Sequence, residues 1–199
     1  KIVNFDYENM RISVEPGIVL DHLNSYLKPH NLFFPVDIST ASRATIGGMT
    51  ANNSCGGRSI RYGIMVDNVH SIDALLINGE HARFSDTPSD ISHIDGTKHY
   101  RQLVSSVREI AEREKSALET YFPKLKMRVG GYNLDTIDPQ GHNMAKLLVG
   151  SEGTLATFKN IELYLQQIPR HKVMGVCHFP TFYAAMDAAQ HLVKLDPVA

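Results

Sequence analysis

The sequence predicts an α+β fold on three observations. Strand-like runs are paired around tight turns, two stretches carry apolar residues at helical spacing, and a run rich in Val, Leu, Ile and Phe follows a cluster of glycines late in the chain. The first pair is "IVNF" with "RISVEPG" (residues 11–17), separated by the polar "DYENM", and it reads as a β-hairpin. In "VLDHLNSYLKPH", Val19, Leu20, Leu23 and Leu27 recur at helical spacing, and Pro29 ends the helix. Around Asn78-Gly79, the dipeptide that accepts the positive φ of a tight turn, "NVHSIDALLINGEHARF" reads as a second hairpin. A single helix is expected over residues 97–121, with Leu103, Val107, Ile110 and Leu118 on its buried face. The loop "KMRVGGYNLDTIDPQGHN" then leads into "AKLLVGSEGTLATFKNIELYLQQIP", read as a buried turn followed by strands. "HKVMGVCHFP" and "TFYAAMDAAQHLVKL" read as a strand and a helix opening a new unit, with residues 166–171 as the boundary.

Composition narrows the function classes. Of 199 residues 43% are hydrophobic and 21% charged, which suits a folded globular chain. A formal net charge of −1 supplies no field to draw the chain onto nucleic acid or an anionic membrane, so any anion must be held locally. Two cysteines, Cys55 and Cys177, make no disulfide framework and suit a reducing, cytoplasmic compartment. The ten histidines show no metal-ligand spacing, and no metal site is expected. The chain does not begin with Met, and its natural start is expected upstream.

The densest chemical signal is "TIGGMTANNSCGGRSIRYG", residues 45–63, read locally as a glycine-rich loop. Bare backbone of this kind serves tight turns or lets a ligand approach amide groups that can cradle an anion. Neither the P-loop pattern G-x-x-x-x-G-K-[ST] nor the dinucleotide pattern G-x-G-x-x-G is present. A second cluster, "VGSEGTL" (residues 149–155), lies about a hundred residues on, and the two are expected to converge on one elongated polar ligand.

Together, "FFPVDISTASRATIGGMTANNSCGGRSIRYG", "VGGYNLD" and "LLVGSEGTLATF" resemble the FAD-linked oxidases and dehydrogenases of the vanillyl-alcohol-oxidase/p-cresol-methylhydroxylase (PCMH) type. The chain is most similar to the branch acting on D-lactate, glycolate and D-2-hydroxyglutarate, and within it to members whose FAD part is fused to an iron–sulfur half. The resemblance implies that residues 1–168 are the second FAD-binding subdomain, mostly antiparallel sheet flanked by helices. Residues 169–199 would begin a ferredoxin-like substrate cap, and a first FAD subdomain would precede Lys1. It further implies cofactor contacts along Pro35, Asp37, Ser39, Ala44, Thr45, Gly47 and Gly48, continuing through Ala51, Asn52, Ser54 and Gly56. Val69 would lie at the adenosine end, and Glu152, Gly153 and Thr154 would form a second contact, with Ala156 standing where the family usually has Gly.

No catalytic residue is assigned. Arg128 is a weak candidate for a substrate carboxylate clamp, Cys55 reads as a small buried filler, and Arg58 and Arg61 face either phosphates or solvent. The implied activity is oxidation of a 2-hydroxy acid by hydride transfer to the flavin. The electron acceptor would be an iron–sulfur half, a quinone or a cytochrome, in a protein that is cytoplasmic or peripheral at the inner membrane. Two other readings stay open: a flavin electron-transfer module without its own substrate site, and a non-catalytic interaction domain. Because the resemblance puts most pyrophosphate donors in the preceding subdomain, the chain by itself is expected to purify colourless and to self-associate through the face left uncovered. A stoichiometric flavin spectrum from the purified chain would place the principal donors within it instead.

Overall fold

The structure, a computed structural model, describes residues 1–125 and 127–198. Strands β1 (Ile2–Asp6) and β2 (Arg11–Val14) form the first hairpin, followed by helix α1 (Leu20–Leu27) and a short strand β3 (Leu32–Phe33). Pro29 falls in a 3-10 turn, Lys28–His30, that closes α1. The glycine-rich segment is not the loop expected: it winds into three helical turns, α2 (Ile46–Ala51), α3 (Ser59–Tyr62) and α4 (Met65–Asn68). The Thr45 hydroxyl caps α2 by accepting the Gly48 amide, which offsets the low helix propensity of two glycines in one turn.

Strands β4 (Val69–Leu75) and β5 (His81–Phe84) form the second hairpin, with Gly79 taking the positive φ of its turn at +83°. A short β6 (Asp86–Pro88) leads to α5 (Lys98–Arg113) and α6 (Lys115–Tyr121), two helices broken at Glu114 where one was expected. The buried stripe of α5 is Tyr100, Val104, Arg108 and Ala111; Leu103 and Val107 pack half-buried against the core beside it, while Ile110 is exposed and Leu118 belongs to α6. The apolar pattern misses this face because Tyr100 and Arg108 count as polar in it. Tyr100 stacks edge-on against Phe84 at 5.2 Å, and the Arg108 guanidinium donates to the Ser89 and Pro88 carbonyls and to the Thr87 hydroxyl.

The chain returns through β7 (Gly141–Asn143), the helical turn α7 (Ala145–Leu148), β8 (Thr157–Tyr164) and β9 (Gln166–Gln167), and ends in α8 (Phe182–Leu192). Residues 171–180, expected as a strand, pair with nothing among the described residues; Val173 and Met174 stay almost fully exposed, so no sheet face exists there to bury them.

One five-stranded antiparallel sheet, ordered β1-β2-β8-β4-β5, joins the two hairpins through β8, which arrives from far along the chain. Its register sets Ile12 opposite Leu163 and Val14 opposite Ile161, all buried, so the period of two puts Arg11, Ser13, Glu162 and Tyr164 on the other face. The apolar face shares one core with Leu20, Leu23 and Leu27 of α1 and with Ile46 and Met49 of α2. Each buried leucine contributes on the order of 2 kcal/mol. No helix among the described residues is long and apolar enough to cross a membrane.

The β6–β7 pair holds a buried histidine. His142 Nδ1 lies 2.8 Å from the Asp138 carbonyl oxygen and therefore donates to it, leaving a neutral ring whose Nε2 has no partner among the described residues. Burial pushes the imidazole below its ordinary value of 6.5, the Asp138 hydrogen bond opposes this, and the nearby Arg108 charge adds to it. The unfolded chain consequently takes up this proton first as pH falls, so stability is lost below about pH 6.5. We expect the melting temperature to decline as pH falls below about 6.5 and the decline to flatten in His142→Asn, which keeps an amide donor but does not titrate. An unchanged slope in the variant would remove His142 from the account.

Candidate functional site

Three segments that are far apart in the chain meet at the C-terminal end of α2. The Gly150 amide donates to the Thr50 carbonyl at 2.9 Å, and the Glu152 amide donates to the Ala51 carbonyl at 2.9 Å. Asn53, fully buried with φ +53°, accepts the Val66 amide at 3.0 Å and donates to the Arg128 carbonyl at 3.4 Å. The two glycine clusters thus converge, as their composition predicts, with the 127–133 loop as the third wall. Gly150 takes φ +82°, with the Asn53 Cβ and the Gly131 carbonyl each 3.3 Å from where a side chain would begin. Glu152 and Gly153 follow in the left-handed region, and the turn closes as Thr154 bonds the Ser151 carbonyl and the Tyr132 hydroxyl.

The other half of the site is the approach from β3. Asn24 on α1 accepts the Phe34 amide at 2.8 Å and so fixes the Pro35–Ser39 segment. Asp37 accepts the Arg58 amide at 3.0 Å, which draws the Gly56 backbone so close that a Cβ there would overlap the Asp37 carbonyl oxygen. Glycine at position 56 therefore serves close backbone packing.

The donor inventory decides what this surface can hold. The first amides of α2 are already used: Ile46 donates to Ile18, Gly47 to Pro16, and Gly48 to the Thr45 hydroxyl. Among the described residues the amides of Cys55, Gly57 and Gly153 donate to nothing, and Ser39, Gly48, Asn52, Glu152, Gly153 and Thr154 are exposed. A Cβ at Gly48 would meet only the Thr45 hydroxyl, at 3.3 Å, so backbone is presented there to open space. Uncharged N–H and O–H donors beside bare backbone fit an elongated ligand with carbonyl and hydroxyl acceptors, which is the chemistry of FAD.

Residues 1–85 match the FAD binding domain family. The antiparallel sheet flanked by helices, which those residues share with the rest of the chain, is the fold that the resemblance to PCMH-type FAD-binding domains implies. It is 30% identical over 206 residues to a D-2-hydroxyglutarate dehydrogenase of Haemophilus influenzae and 32% identical over 204 residues to one of Pseudomonas putida, each alignment covering 100% of this chain and 20% of the relative. A mitochondrial D-lactate dehydrogenase [cytochrome] of Arabidopsis thaliana is 34% identical over 182 residues, 92% of this chain and 24% of the relative. The chain thus spans about a fifth to a quarter of the length of these relatives. Among solved structures, an alkyldihydroxyacetonephosphate synthase shares the fold at a TM-score of 0.60 and 19% identity, over 98% of this chain and 26% of that one.

Within the FAD-binding domain the residues implied by the resemblance divide by exposure. Ser39, Gly48 and Asn52 lie on the surface, and Asp37, Ala44, Thr45, Gly47, Ala51, Ser54 and Gly56 are half-buried around it. Pro35 and Val69 are buried, and Val69, at the head of β4, turns its side chain into the core and leaves only backbone for a ligand. Glu152, Gly153 and Thr154 lie outside the matched residues but are brought to the same rim. Ala156 is buried without a left-handed backbone, so the turn accepts alanine where the family usually has glycine. Arg128 is held by Asp135 and Asn133 and stacks on Phe122 at 4.7 Å, which commits its guanidinium within the loop. Cys55 packs at the edge of the core.

Asn53, Tyr132 and Asn133 escape sequence reasoning. Asn133, also buried, donates to the Lys146 and Val149 carbonyls, yet nothing local distinguishes it from a surface asparagine. The packing at position 56 gives a direct check. Gly56→Ala should cost about 1–3 kcal/mol, a fall of several degrees in melting temperature, whereas Gly153→Ala, with open space around it, should cost about 1 kcal/mol from its φ of +74° alone. Equal losses in calorimetry would contradict the close approach to Asp37.

Proposed function

We propose that the full-length protein oxidises a small 2-hydroxy acid with FAD. The observation that carries this is the rim where the two glycine turns meet, which offers the Gly153 amide, the Asn52 side-chain amide and the Thr45 hydroxyl to an elongated polar cofactor, in a chain whose residues 1–85 match the FAD binding domain family. Support for the substrate class comes from relatives named as D-2-hydroxyglutarate and D-lactate dehydrogenases. FAD, when bound, supplies the acceptor for a hydride from the α-carbon of the acid. The residues of this chain bind and orient: Thr45, Gly48 and Asn52 line one side of the track, and Glu152, Gly153 and Thr154 line the other. Fixed N–H donors at the edge of the cofactor favour the negative charge that develops as it is reduced. On this reading residues 1–168 form one wall of the cofactor site and residues 169–199 begin the substrate cap. An iron–sulfur half, a quinone or a cytochrome would take the electrons, the last being part of the Arabidopsis relative's name.

The test is anaerobic mixing of the full-length protein with D-lactate, glycolate or D-2-hydroxyglutarate. At least one should bleach the flavin absorbance, and NADH should leave it unchanged. In the same protein Gly48→Val is expected to fold, by circular dichroism, yet lose flavin, because a branched side chain would fill the open approach to the backbone. Bleaching by NADH with every hydroxy acid inert, or full flavin content in Gly48→Val, would overturn the proposal.

A further inference from the structure

The hydrogen bonds at the rim fix where each hydroxyl sends its proton. Thr154 Oγ1 lies 2.6 Å from the Ser151 carbonyl oxygen, which can only accept, so the Thr154 hydroxyl donates there and has no second proton to give. Tyr132 Oη lies 2.8 Å from the same Thr154 Oγ1, and the Tyr132 hydroxyl is therefore the donor of that pair. Both residues are exposed, Tyr132 by 45%. With both protons spent inside the turn, the pair offers solvent only lone pairs: it accepts hydrogen bonds and gives none.

Its surroundings have the opposite polarity. The Ser54 hydroxyl donates to Asn52 Oδ1 at 2.7 Å, which leaves the Asn52 side-chain nitrogen as the free end, donating to nothing among the described residues. The Thr45 hydroxyl accepts the Gly48 amide and keeps its own proton. The Gly153 amide, one residue before Thr154, donates to nothing among the described residues, and no atom lies within 4 Å of where a side chain would begin there. The turn thus sets an acceptor-only pair beside a free amide donor. A phosphate oxygen, which only accepts, gains nothing from such a pair, and a ribityl hydroxyl, which both donates and accepts, is indifferent to it. A heterocycle edge on which an N–H adjoins a carbonyl or ring nitrogen is matched at both positions.

We propose that Tyr132, through its hydrogen bond with Thr154, is a specificity-determining residue of the cofactor site: the pair accepts an N–H of a heterocycle whose neighbouring acceptor takes the Gly153 amide. The inference rests on the FAD reading above. FAD carries two edges of this chemistry, the pyrimidine N–H between two carbonyls of the flavin and the amino group beside a ring nitrogen of the adenine.

The full-length protein, stripped of flavin, is titrated with FAD, with FAD methylated at flavin N3, and with FAD dimethylated at the adenine amino group, each followed by the change in flavin fluorescence. One analogue should bind about tenfold more weakly than FAD, and which one does so identifies the edge. In Tyr132→Phe, FAD should weaken several-fold and the difference between FAD and that analogue should largely vanish. A merely structural role would weaken all three flavins alike, so the ratio is the deciding readout. Thr154→Val should abolish the discrimination in the same way, and Thr154→Ser, which keeps the hydroxyl, should restore it. If Thr154→Val disturbs the turn, Tyr132→Phe, which removes only an exposed oxygen, decides alone. Equal affinity for all three flavins in the unsubstituted protein, or an unchanged ratio in Tyr132→Phe, would overturn this proposal and leave FAD binding standing. Failure of the unsubstituted protein to take up FAD would instead overturn the cofactor reading, and this inference with it.

Discussion

The backbone clasp between the end of α2 and the 150–154 turn is the constraint on which the rest of this structure depends. Two amide-to-carbonyl bonds, from Gly150 to Thr50 and from Glu152 to Ala51, bind chain segments a hundred residues apart, and the fully buried Asn53 locks a third segment onto them. Each bond is worth about 1 kcal/mol net, but a buried amide left without its partner costs more than that. Because β8 starts three residues after Thr154, the clasp also delivers the central strand of the sheet. Site and core are therefore set by the same contacts, and a change that loosens one loosens the other.

The clasp also limits what the site can offer. With the first amides of α2 already given to Ile18, Pro16 and Thr45, and α2 only six residues long, little helix-end charge is left for an anion. What faces outward is a sparse set of uncharged donors, with bare backbone at Gly48. Such a surface suits the neutral edges of a flavin and its ribityl chain better than a diphosphate. It also fits a chain whose net charge is only −1.

Legibility in the sequence followed the range of the interaction that forms each element. The Asn78-Gly79 hairpin, α1 and the "VGSEGTL" turn are specified within a few residues by turn chemistry or period, and each stands where the sequence puts it, except that the tip of the turn, Glu152 to Thr154, is exposed and not buried as expected. The helix over 97–121 was legible as helix but not as two, and its buried face was read only in part: Leu103 and Val107 pack against the core, Ile110 does not. Tyr100 and Arg108 become core residues only because Phe84 and the carbonyls of Ser89 and Pro88 are there to receive them. The strand expected over 171–180 had the right residues and no neighbour to pair with.

From the sequence alone came the α+β class, both hairpins, the two glycine clusters and the family to which their motifs point. The physical reason is that positive φ, capping and alternation are local properties that particular residue types carry with them. Only the tertiary structure decided which amides of the glycine segment remain free, that Val69 faces the core, that Arg128 is tied to Asp135, and that Asn53 and Asn133 are buried hubs. Those outcomes depend on which polar group finds a partner once distant segments are packed together, and no local pattern records the partner.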